Sequence, residues 1–391
     1  MLAVLSGLTS AAGIEVSAPD NAKDTATTEE KVPTTSAVSA ILVDVDSGRV
    51  LYAKNAGQER HIASITKLMT ALVAVESTQN LDREVTIQKE WTLTEGSSIY
   101  LTPGETISFR TLLYGMLLNS GNDAALAVAG ICGGTVDTFV DWMNQRARDL
   151  GMFHTHFANP NGLNDEDHYS TASDMARLAA VCLKNETIAQ IVSTKSITLE
   201  GRTFVNHNKL LWQYEGCTGM KTGYTELAGR TLISSAVREG QALVVVTLGD
   251  PDDWKDHKSL LDYGFSNYPK RVFYEEGQLV GKIPVEGSLI PLVSVRVKDQ
   301  ISYPIAQNEN PEVSISLPKQ VSAPVTEGEI AGKVTVTLKG KVVGESYLVY
   351  SDTVNRDSVK AVGGIQRFLE FCRSRETSGI LQSFAYLRFG S

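Results

Sequence analysis

The sequence has no run of eighteen apolar residues, so it predicts no membrane-spanning helix. It also has no basic cluster: 36 Lys and Arg stand against 45 Asp and Glu, and the formal net charge of -9 argues against a nucleic-acid partner. The four cysteines show no Cys-x-x-Cys spacing and are interpreted as isolated thiols: Cys132, Cys182, Cys217 and Cys372. With 42% hydrophobic and 21% charged residues over 391 positions, the composition is that of a globular chain long enough for two domains.

The N-terminal region also has few charges. Residues 1–18 are apolar or small, with no charge before Glu15, and they lack the basic start of a secretory signal. We interpret this segment as the remnant of a signal peptide and predict export to the outer face of the cytoplasmic membrane or the cell wall. Residues 19–36 are rich in Thr, Ala, Glu and Lys without periodicity, and are predicted to be a linker.

Apolar periodicity predicts an α+β domain over residues 37–268. Alternating apolar residues predict a β-hairpin over residues 38–52, and i, i+3, i+4 spacings predict helices between residues 109 and 183. Strands return over residues 196–248, and a last helix ends near Gly264. This order predicts an antiparallel sheet with an inserted helical block.

The remaining chain has a different pattern. Short alternating runs, such as the one with Val293 and Val295, predict a small all-β sandwich domain over residues 271–355. Residues 359–391 carry apolar side chains at helical spacing from Ile365 onward. They are predicted to form an amphipathic tail that either lies on a membrane surface or packs on the β domain.

A candidate nucleophile lies where an apolar helical run begins. Ser64 and Lys67 are three residues apart, so on a helix both face the same way, and the helix N-terminus favours a developing oxyanion at Ser64. A lysine can take the serine proton only as a neutral amine, which needs burial or a nearby cation. Ser316 and Lys319 have the same spacing, but Pro318 and the alternating sequence predict a strand there, in which such a pair faces opposite sides.

Two further motifs follow in order: Ser120-Gly121-Asn122 at a helix–helix loop and Lys221-Thr222-Gly223 beside a predicted strand. Ser-x-x-Lys followed by motifs of these two kinds is typical of serine enzymes that recognise penicillin. Over residues 37–355 the chain resembles the low-molecular-mass penicillin-binding proteins, the serine-type D-alanyl-D-alanine carboxypeptidases. The stretches that carry the resemblance are residues 118–125, 156–163, 206–212 and 219–225.

The resemblance implies a β-lactamase/transpeptidase-like fold and hydrolysis through an acyl-enzyme. The implied substrate is a peptidoglycan stem pentapeptide, β-lactam antibiotics are the implied inhibitors, and no cofactor or metal is implied. The implied catalytic residues are the nucleophile Ser64, the general base Lys67, the proton relay Ser120, the orienting amide Asn122 and the second cation Lys221. The implied substrate-binding residues are Thr222, Gly223 and Tyr224, and the backbone N–H groups of Ser64 and Tyr224 form the implied oxyanion hole.

One departure from the family pattern concerns the substrate carboxylate. Relatives often place an arginine in the loop before the last helix of this domain. Residues 249–255 are acidic here and contain no arginine, so Lys255 or His257 is the expected substitute.

Three alternatives remain open at this stage. A β-lactamase would need a water-activating carboxylate, and Glu166 does not stand in the expected pattern for one. A non-catalytic peptidoglycan or β-lactam sensor would not need Ser64 and Lys67 together. His154 and His156, with acidic residues nearby, fit a metal site, although a polar loop is the commoner reason for such a pattern.

Overall fold

The computed structural model describes residues 32–78 and 80–357, which form two compact units. Among the described residues, the first unit contains those up to Arg271 together with Tyr303–Glu309, and the second contains Val272–Ser302 and residues 310–357. The predicted signal remnant, most of the linker and the predicted tail lie outside the described residues.

The first unit alternates strands and helices along the chain. Its elements are β1 (Ser39–Asp44), β2 (Val50–Lys54), α1 (Lys67–Ser77), β3 (Glu84–Thr86), β4 (Thr106–Ser108), α2 (Phe109–Leu118), α3 (Asn122–Gly133), α4 (Val136–Asp149), α5 (Ala172–Lys184), α6 (Glu186–Ser193), β5 (Ser196–Leu199), β6 (Arg202–Val205), α7 (Leu210–Gln213), β7 (Cys217–Thr225), β8 (Gly229–Arg238), β9 (Gln241–Leu248) and α8 (Asp253–Asn267). Short 3-10 helices cover Ala63–Thr66 and Lys89–Thr92.

Five strands of this unit form an antiparallel sheet in the order β2-β1-β9-β8-β7. Helices cover both of its faces, so its central strands are apolar on both sides. Ile41 and Val43 belong to the core shared with the helical block, whereas Leu42 between them belongs to a second core with Leu260 and Leu261 of α8. The predicted α+β fold is therefore confirmed, and β7 lies at an edge of the sheet.

The predicted helices between residues 109 and 183 are confirmed as α2, α3, α4 and α5. Helix α6 was not predicted from the sequence. In the sequence, Asn185 indicates only the end of a helical run. In the structure it ends α5 and also caps α6, because its side-chain oxygen accepts the N–H of Ile188 at 3.1 Å. The chain therefore starts a new helix at the residue where the previous one stops.

Eight strands follow α8: β10 (Lys270–Tyr274), β11 (Leu279–Glu286), β12 (Leu292–Val297), β13 (Ile301–Pro304), β14 (Glu312–Ser316), β15 (Val321–Ser322), β16 (Ile330–Leu338) and β17 (Lys341–Tyr350). β10 pairs with β13, and the others form a six-stranded sheet in the order β14-β16-β17-β12-β11-β15. Its pairs are antiparallel except β11 with β15, which run parallel. Up to residue 357 the chain after α8 forms no helix, as predicted, and Ser316 lies in a strand.

One short segment departs from the predicted division of the chain. Tyr303–Glu309, which the sequence assigns to the β domain, clusters with the first unit. Arg49 holds it there: its guanidinium donates to both carboxylate oxygens of Glu309 at 2.7 and 2.8 Å and to the carbonyl of Pro304 at 2.6 Å. The two side chains of this ion pair are only 14% and 6% exposed.

None of the helices in the described ranges is by itself long and apolar enough to cross a membrane. Together α3 and α4 reach the required length and composition, but their axes are bent by 86° at the break between them.

Replacing Arg49 by Leu should lower the free energy of unfolding of the first unit by about 3–5 kcal/mol, because the buried carboxylate of Glu309 then loses the positive charge that balances it. Denaturant unfolding followed by tryptophan fluorescence measures this loss, since all four tryptophans lie in the first unit. Arg110→Leu is the control, because its partner Asp82 is 73% exposed and the expected loss is below ~1 kcal/mol. Equal losses in the two variants would contradict the buried role of Arg49.

Candidate active site

The predicted nucleophile Ser64 lies in the 3-10 turn that leads into α1. It is partly exposed, and Ala63 before it has a positive φ of 50°, an uncommon conformation for a residue with a side chain. Two hydroxyl groups hold this turn: Thr231 donates to the carbonyl of Ile62 at 3.0 Å, and Thr66 donates to the carbonyl of Ala63 at 2.8 Å. The turn therefore depends on β8 as well as on its own residues.

The amine of Lys67 has three hydrogen-bond partners. Its Nζ lies 2.9 Å from Ser64 Oγ, 2.7 Å from Asn122 Oδ1 and 2.6 Å from the backbone oxygen of Asn161. The last two are oxygens that can only accept, so each must receive an N–H. When the amine is neutral, its two hydrogens are used on these oxygens and the lone pair is directed at the hydroxyl of Ser64.

Burial lowers the pKa of Lys67 well below its usual value. The side chain has no exposed surface, and the nearby charge of Lys221 lowers the pKa further, while Asp123 raises it to a smaller extent. Lys221 is itself buried, which lowers its pKa to about 7. The neutral amine that a general base needs is therefore favoured by the environment of Lys67.

The second motif lies at the start of α3. Ser120 has a positive φ of 61°, and its side chain lines the same cleft as Ser64. No hydrogen bond joins Ser120 to Lys67 or Lys221 in the described part of the chain. Asn122 donates its amide N–H to the carbonyl of Glu95 at 2.7 Å, which fixes the amide so that Oδ1 faces Lys67.

The third motif lies within the edge strand β7, rather than beside a strand as predicted. Lys221 donates to the carbonyl of Thr222 at 2.9 Å. At Gly223 a Cβ atom would lie 2.4 Å from Thr231 Oγ1 and 2.9 Å from the backbone nitrogen of Ser64, so only glycine fits. The strand therefore packs directly on the amide of the nucleophile.

A loop outside the three motifs supplies part of the site. Asn161, whose carbonyl accepts from Lys67, precedes Gly162, where a Cβ would lie 2.0 Å from the carbonyl oxygen of Ala63. His168 links the loop to the turn at Ser64. Because its Nδ1 accepts the N–H of Ala158 at 3.1 Å, its other nitrogen carries the proton, and Nε2–H donates to Thr66 at 2.7 Å. Burial lowers the pKa of His168 to about 4, and the ring stays neutral at physiological pH. The run Asn-Pro-Asn-Gly was the only sequence signal for this loop, and its carbonyl contact was not foreseen.

The cleft around Ser64 has a volume of about 350 Å³. Five of the predicted site residues line it together: Ser64, Ser120, Thr222, Gly223 and Tyr224. Lys67, Asn122 and Lys221 lie behind it, buried. Six lining residues were not predicted: Ser97, His207, Lys209, Arg230, Asp253 and Trp254.

Neither expected substitute for the missing loop arginine reaches this cleft. His257 is buried between Ser234 and Thr247, at 2.5 and 2.9 Å, and its burial lowers its pKa to about 3. Lys255 lines a different cavity, together with residues 32–34. The expectation that Lys255 or His257 takes that place was wrong, because α8 directs both away from Ser64. The arginine that does line the cleft is Arg230 of β8.

The residues that would support a β-lactamase or a metal site do not line this cleft. Glu166 is exposed. His156 Nδ1 contacts the carbonyl of Asp167 at 2.6 Å, and His154 Nδ1 lies 3.1 Å from Glu59. Over residues 32–78 and 80–357, no group of three or more His, Cys, Asp or Glu side chains is placed to hold a metal ion.

Comparison with known proteins identifies the family. Residues 25–252 match the family model described as D-alanyl-D-alanine carboxypeptidase, and residues 268–356 match that of the penicillin-binding protein 5 C-terminal domain. D-alanyl-D-alanine carboxypeptidase DacF of Bacillus subtilis is 33% identical over 79% of this chain and 84% of its own length. DacA of Escherichia coli is 31% identical over 81% of this chain and 83% of its own length.

Solved structures give the same result. Penicillin-binding protein 5 of Haemophilus influenzae has a TM-score of 0.68 and 30% identity, with 83% of this chain and 99% of that chain covered. The peptidoglycan synthesis regulatory factor PBP3 of Streptococcus pneumoniae has a TM-score of 0.72 and 26% identity, with 82% and 100% covered. A family-model match over more than half of the chain, relatives above 30% identity and the same two-part fold agree: the chain belongs to the D-alanyl-D-alanine carboxypeptidase family, the low-molecular-mass penicillin-binding proteins.

Proposed function

We propose that this protein removes the terminal D-alanine from peptidoglycan stem pentapeptides through an acyl-enzyme on Ser64. The observation that carries the proposal is the setting of the Lys67 amine, which is buried and hydrogen-bonded to two obligatory acceptors and to the serine hydroxyl. A serine that only binds or packs does not need such a base. The proposed chemistry uses no cofactor or metal, and its peptidoglycan substrate lies outside the cytoplasm.

Acylation begins with transfer of the Ser64 proton to Lys67. Ser64 Oγ forms a bond to the carbonyl carbon between the two D-alanines, and the backbone N–H groups of Ser64 and Tyr224 stabilise the oxyanion. The C–N bond then breaks, and the proton on Lys67 passes by way of Ser120 to the leaving amine. Asn122 keeps Lys67 oriented, and its side-chain amide also forms a hydrogen bond with the peptide amide of the substrate.

Deacylation uses the same base. The first product, D-alanine, leaves space for a water molecule, which gives a proton to Lys67 as it attacks the ester carbon. The Ser64 oxygen then leaves and recovers a proton from Lys67, so the enzyme is regenerated without a net change. Lys221 contributes a nearby positive charge that keeps the amine of Lys67 neutral between these steps.

A β-lactamase function is disfavoured by the loop that carries Asn161. This loop gives Lys67 a backbone carbonyl, and its acidic residues Asp165, Glu166 and Asp167 are exposed. A penicilloyl ester keeps its leaving group attached, and no carboxylate of this loop is placed to activate water for its hydrolysis.

Ser64→Ala should abolish both release of D-alanine from a peptide ending in D-Ala-D-Ala and labelling by fluorescent penicillin. Both reactions need the same oxygen nucleophile. Ser316→Ala is the matched control and should leave both activities unchanged, since Ser316 lies in β14. Labelling that persists in Ser64→Ala, or peptide mapping of the label to another serine, would contradict the assignment.

Lys67→Arg should lower the rate of acylation at least ~100-fold, the low end for loss of a general base, because a guanidinium stays protonated. In the wild type, acylation should fall as the pH is lowered through the depressed pKa of Lys67, since protonation removes the lone pair that faces Ser64. Stopped-flow measurement of penicillin binding between pH 4.5 and 9 gives this profile. Lys67→Arg should lack the acid limb, and an acid limb that persists in Lys67→Arg would assign the base to another group.

With penicillin the enzyme should stall, whereas with the peptide it should turn over. A penicilloyl-enzyme that lasts minutes or longer corresponds to a barrier of ~20 kcal/mol or more. Nitrocefin hydrolysis and D-alanine release by one preparation give the comparison. Glu166→Gln should change neither rate; β-lactam turnover that rivals peptide cleavage and disappears in Glu166→Gln would favour the β-lactamase alternative.

We also propose that residues 359–391 contact the membrane surface reversibly. The proposal rests on the helical spacing of apolar residues such as Ile365, Phe368 and Leu369. The full chain should sediment with anionic phospholipid vesicles, and a chain ending at residue 357 should remain in the supernatant with its D-alanine release intact. A truncated chain that fails to fold would instead assign the tail to packing on the β domain.

A further inference from the structure

Arg230 brings a guanidinium group to the wall of the catalytic cleft, and two neighbours hold it in place. Its Nε and Nη2 donate to both carboxylate oxygens of Asp253 at 2.8 to 3.0 Å, and its Cζ lies 5.6 Å from the ring centre of Trp254. The side chain of Asp253 is 3% exposed, whereas that of Arg230 is 43% exposed. The two contacts therefore fix the orientation of the guanidinium at the cleft, and Asp253 does not use its Nη1.

The other cations of the site are less suited to hold an anion. Burial and mutual proximity depress the pKa of Lys67, and burial lowers the pKa of Lys221 to about 7. Lys209 lies at the exposed rim. A guanidinium stays charged at every physiological pH, and while Asp253 holds Nε and Nη2 of Arg230, its Nη1 remains to donate to a second carboxylate. Arg230 is therefore the permanent, oriented positive charge of the cleft.

The pairing of β7 with β8 places Arg230 one residue along β7 from the position that contacts Ser64. Gly223 packs on the amide of Ser64, and Arg230 lies opposite Tyr224, the next residue of β7. A peptide that adds to the edge of β7 with its scissile carbonyl at Ser64 has its C-terminal carboxylate one residue further, at ~3.5 Å along the chain. Thr222 lies diagonally across from Arg230 on the same face of the sheet, within reach of a long side chain.

We propose that Arg230, positioned by Asp253, binds the terminal carboxylate of the substrate and makes the enzyme a carboxypeptidase rather than a general serine peptidase. The hydroxyl of Thr222 donates to the other carboxylate oxygen. This assignment rests on the proposed function. It means that a residue of β8 binds the substrate carboxylate, since α8 and the loop before it place no suitable side chain in the cleft. The carboxylate of a β-lactam occupies the same place.

The test compares two peptides that differ only at the C-terminus, one ending in D-Ala-D-Ala and the other in D-Ala-D-alaninamide. The wild type should release D-alanine with a kcat/KM well above that for release of D-alaninamide. The double variant Arg230→Gln/Asp253→Asn keeps a hydrogen-bonded pair without charge. It should lose about 10- to 100-fold in kcat/KM on the free acid, as expected for a hydrogen bond to a charged group, with little change on the amide.

The matched control is Arg238→Gln/Asp262→Asn. Arg238 belongs to the same strand, lies 3.2 Å from an aspartate of α8 and packs on the rings of Tyr214 and Phe265, but it does not line the cleft. This variant should keep the wild-type ratio between acid and amide. It separates loss of carboxylate recognition from weakened packing between β8 and α8.

Arg230→Lys is a second variant that keeps the charge beside Asp253 and so protects folding. A lysine lacks the planar pair of N–H groups that holds Asp253 while another N–H faces a second carboxylate. The ratio of kcat/KM on the free acid to kcat/KM on the amide should therefore fall between those of the wild type and the double variant. An unchanged ratio in both Arg230 variants of an active enzyme would overturn this assignment alone. If the wild type released neither product, the proposed function would fail first.

Discussion

The removal of water from one lysine amine is the constraint on which this active site depends. Lys67 would be charged in water, and a charged amine cannot take a proton from serine. The fold buries it completely and supplies two carbonyl oxygens that orient its hydrogens, one from Asn122 at the start of α3 and one from the loop at Asn161. The direction of the lone pair then follows from hydrogen-bond counting rather than from any contact with the substrate.

The other parts of the first unit can be understood as support for that arrangement. The sheet provides the edge strand β7, which contacts the amide of Ser64. The neighbouring strand β8 holds the carbonyl of Ile62 through the hydroxyl of Thr231. The helical block supplies the apolar walls around α1, which is why the predicted amphipathic helices matter to the chemistry. Ala63, which precedes Ser64, and Ser120 both have a positive φ, so each serine hydroxyl of the catalytic motifs lies at or next to an uncommon backbone conformation.

Much of this arrangement could be predicted from the sequence because it depends on local spacing. The hairpin, the helices and the three motifs follow from periodicities of two and 3.6 residues and from residues that are near in the chain. Arg230, the Asn161 carbonyl and His168 could not be predicted in this way. Arg230 enters the cleft only through the register of β7 with β8, and a backbone carbonyl leaves no trace in side-chain identity. A substitute for the loop arginine was sought at Lys255 and His257 because the family pattern places the arginine in the loop just before α8, whereas α8 turns His257 into the core.

The two glycines that enclose the nucleophile have a consequence for antibiotic resistance. A Cβ at Gly162 would strike the carbonyl of Ala63, and one at Gly223 would strike the amide of Ser64, so added bulk at either position displaces the serine itself. Narrowing the cleft at these points would therefore impair the proposed hydrolysis of the peptide together with the binding of a β-lactam. Substitutions that discriminate between drug and peptide are therefore expected at the rim of the cleft, where side chains are exposed, rather than at these two glycines.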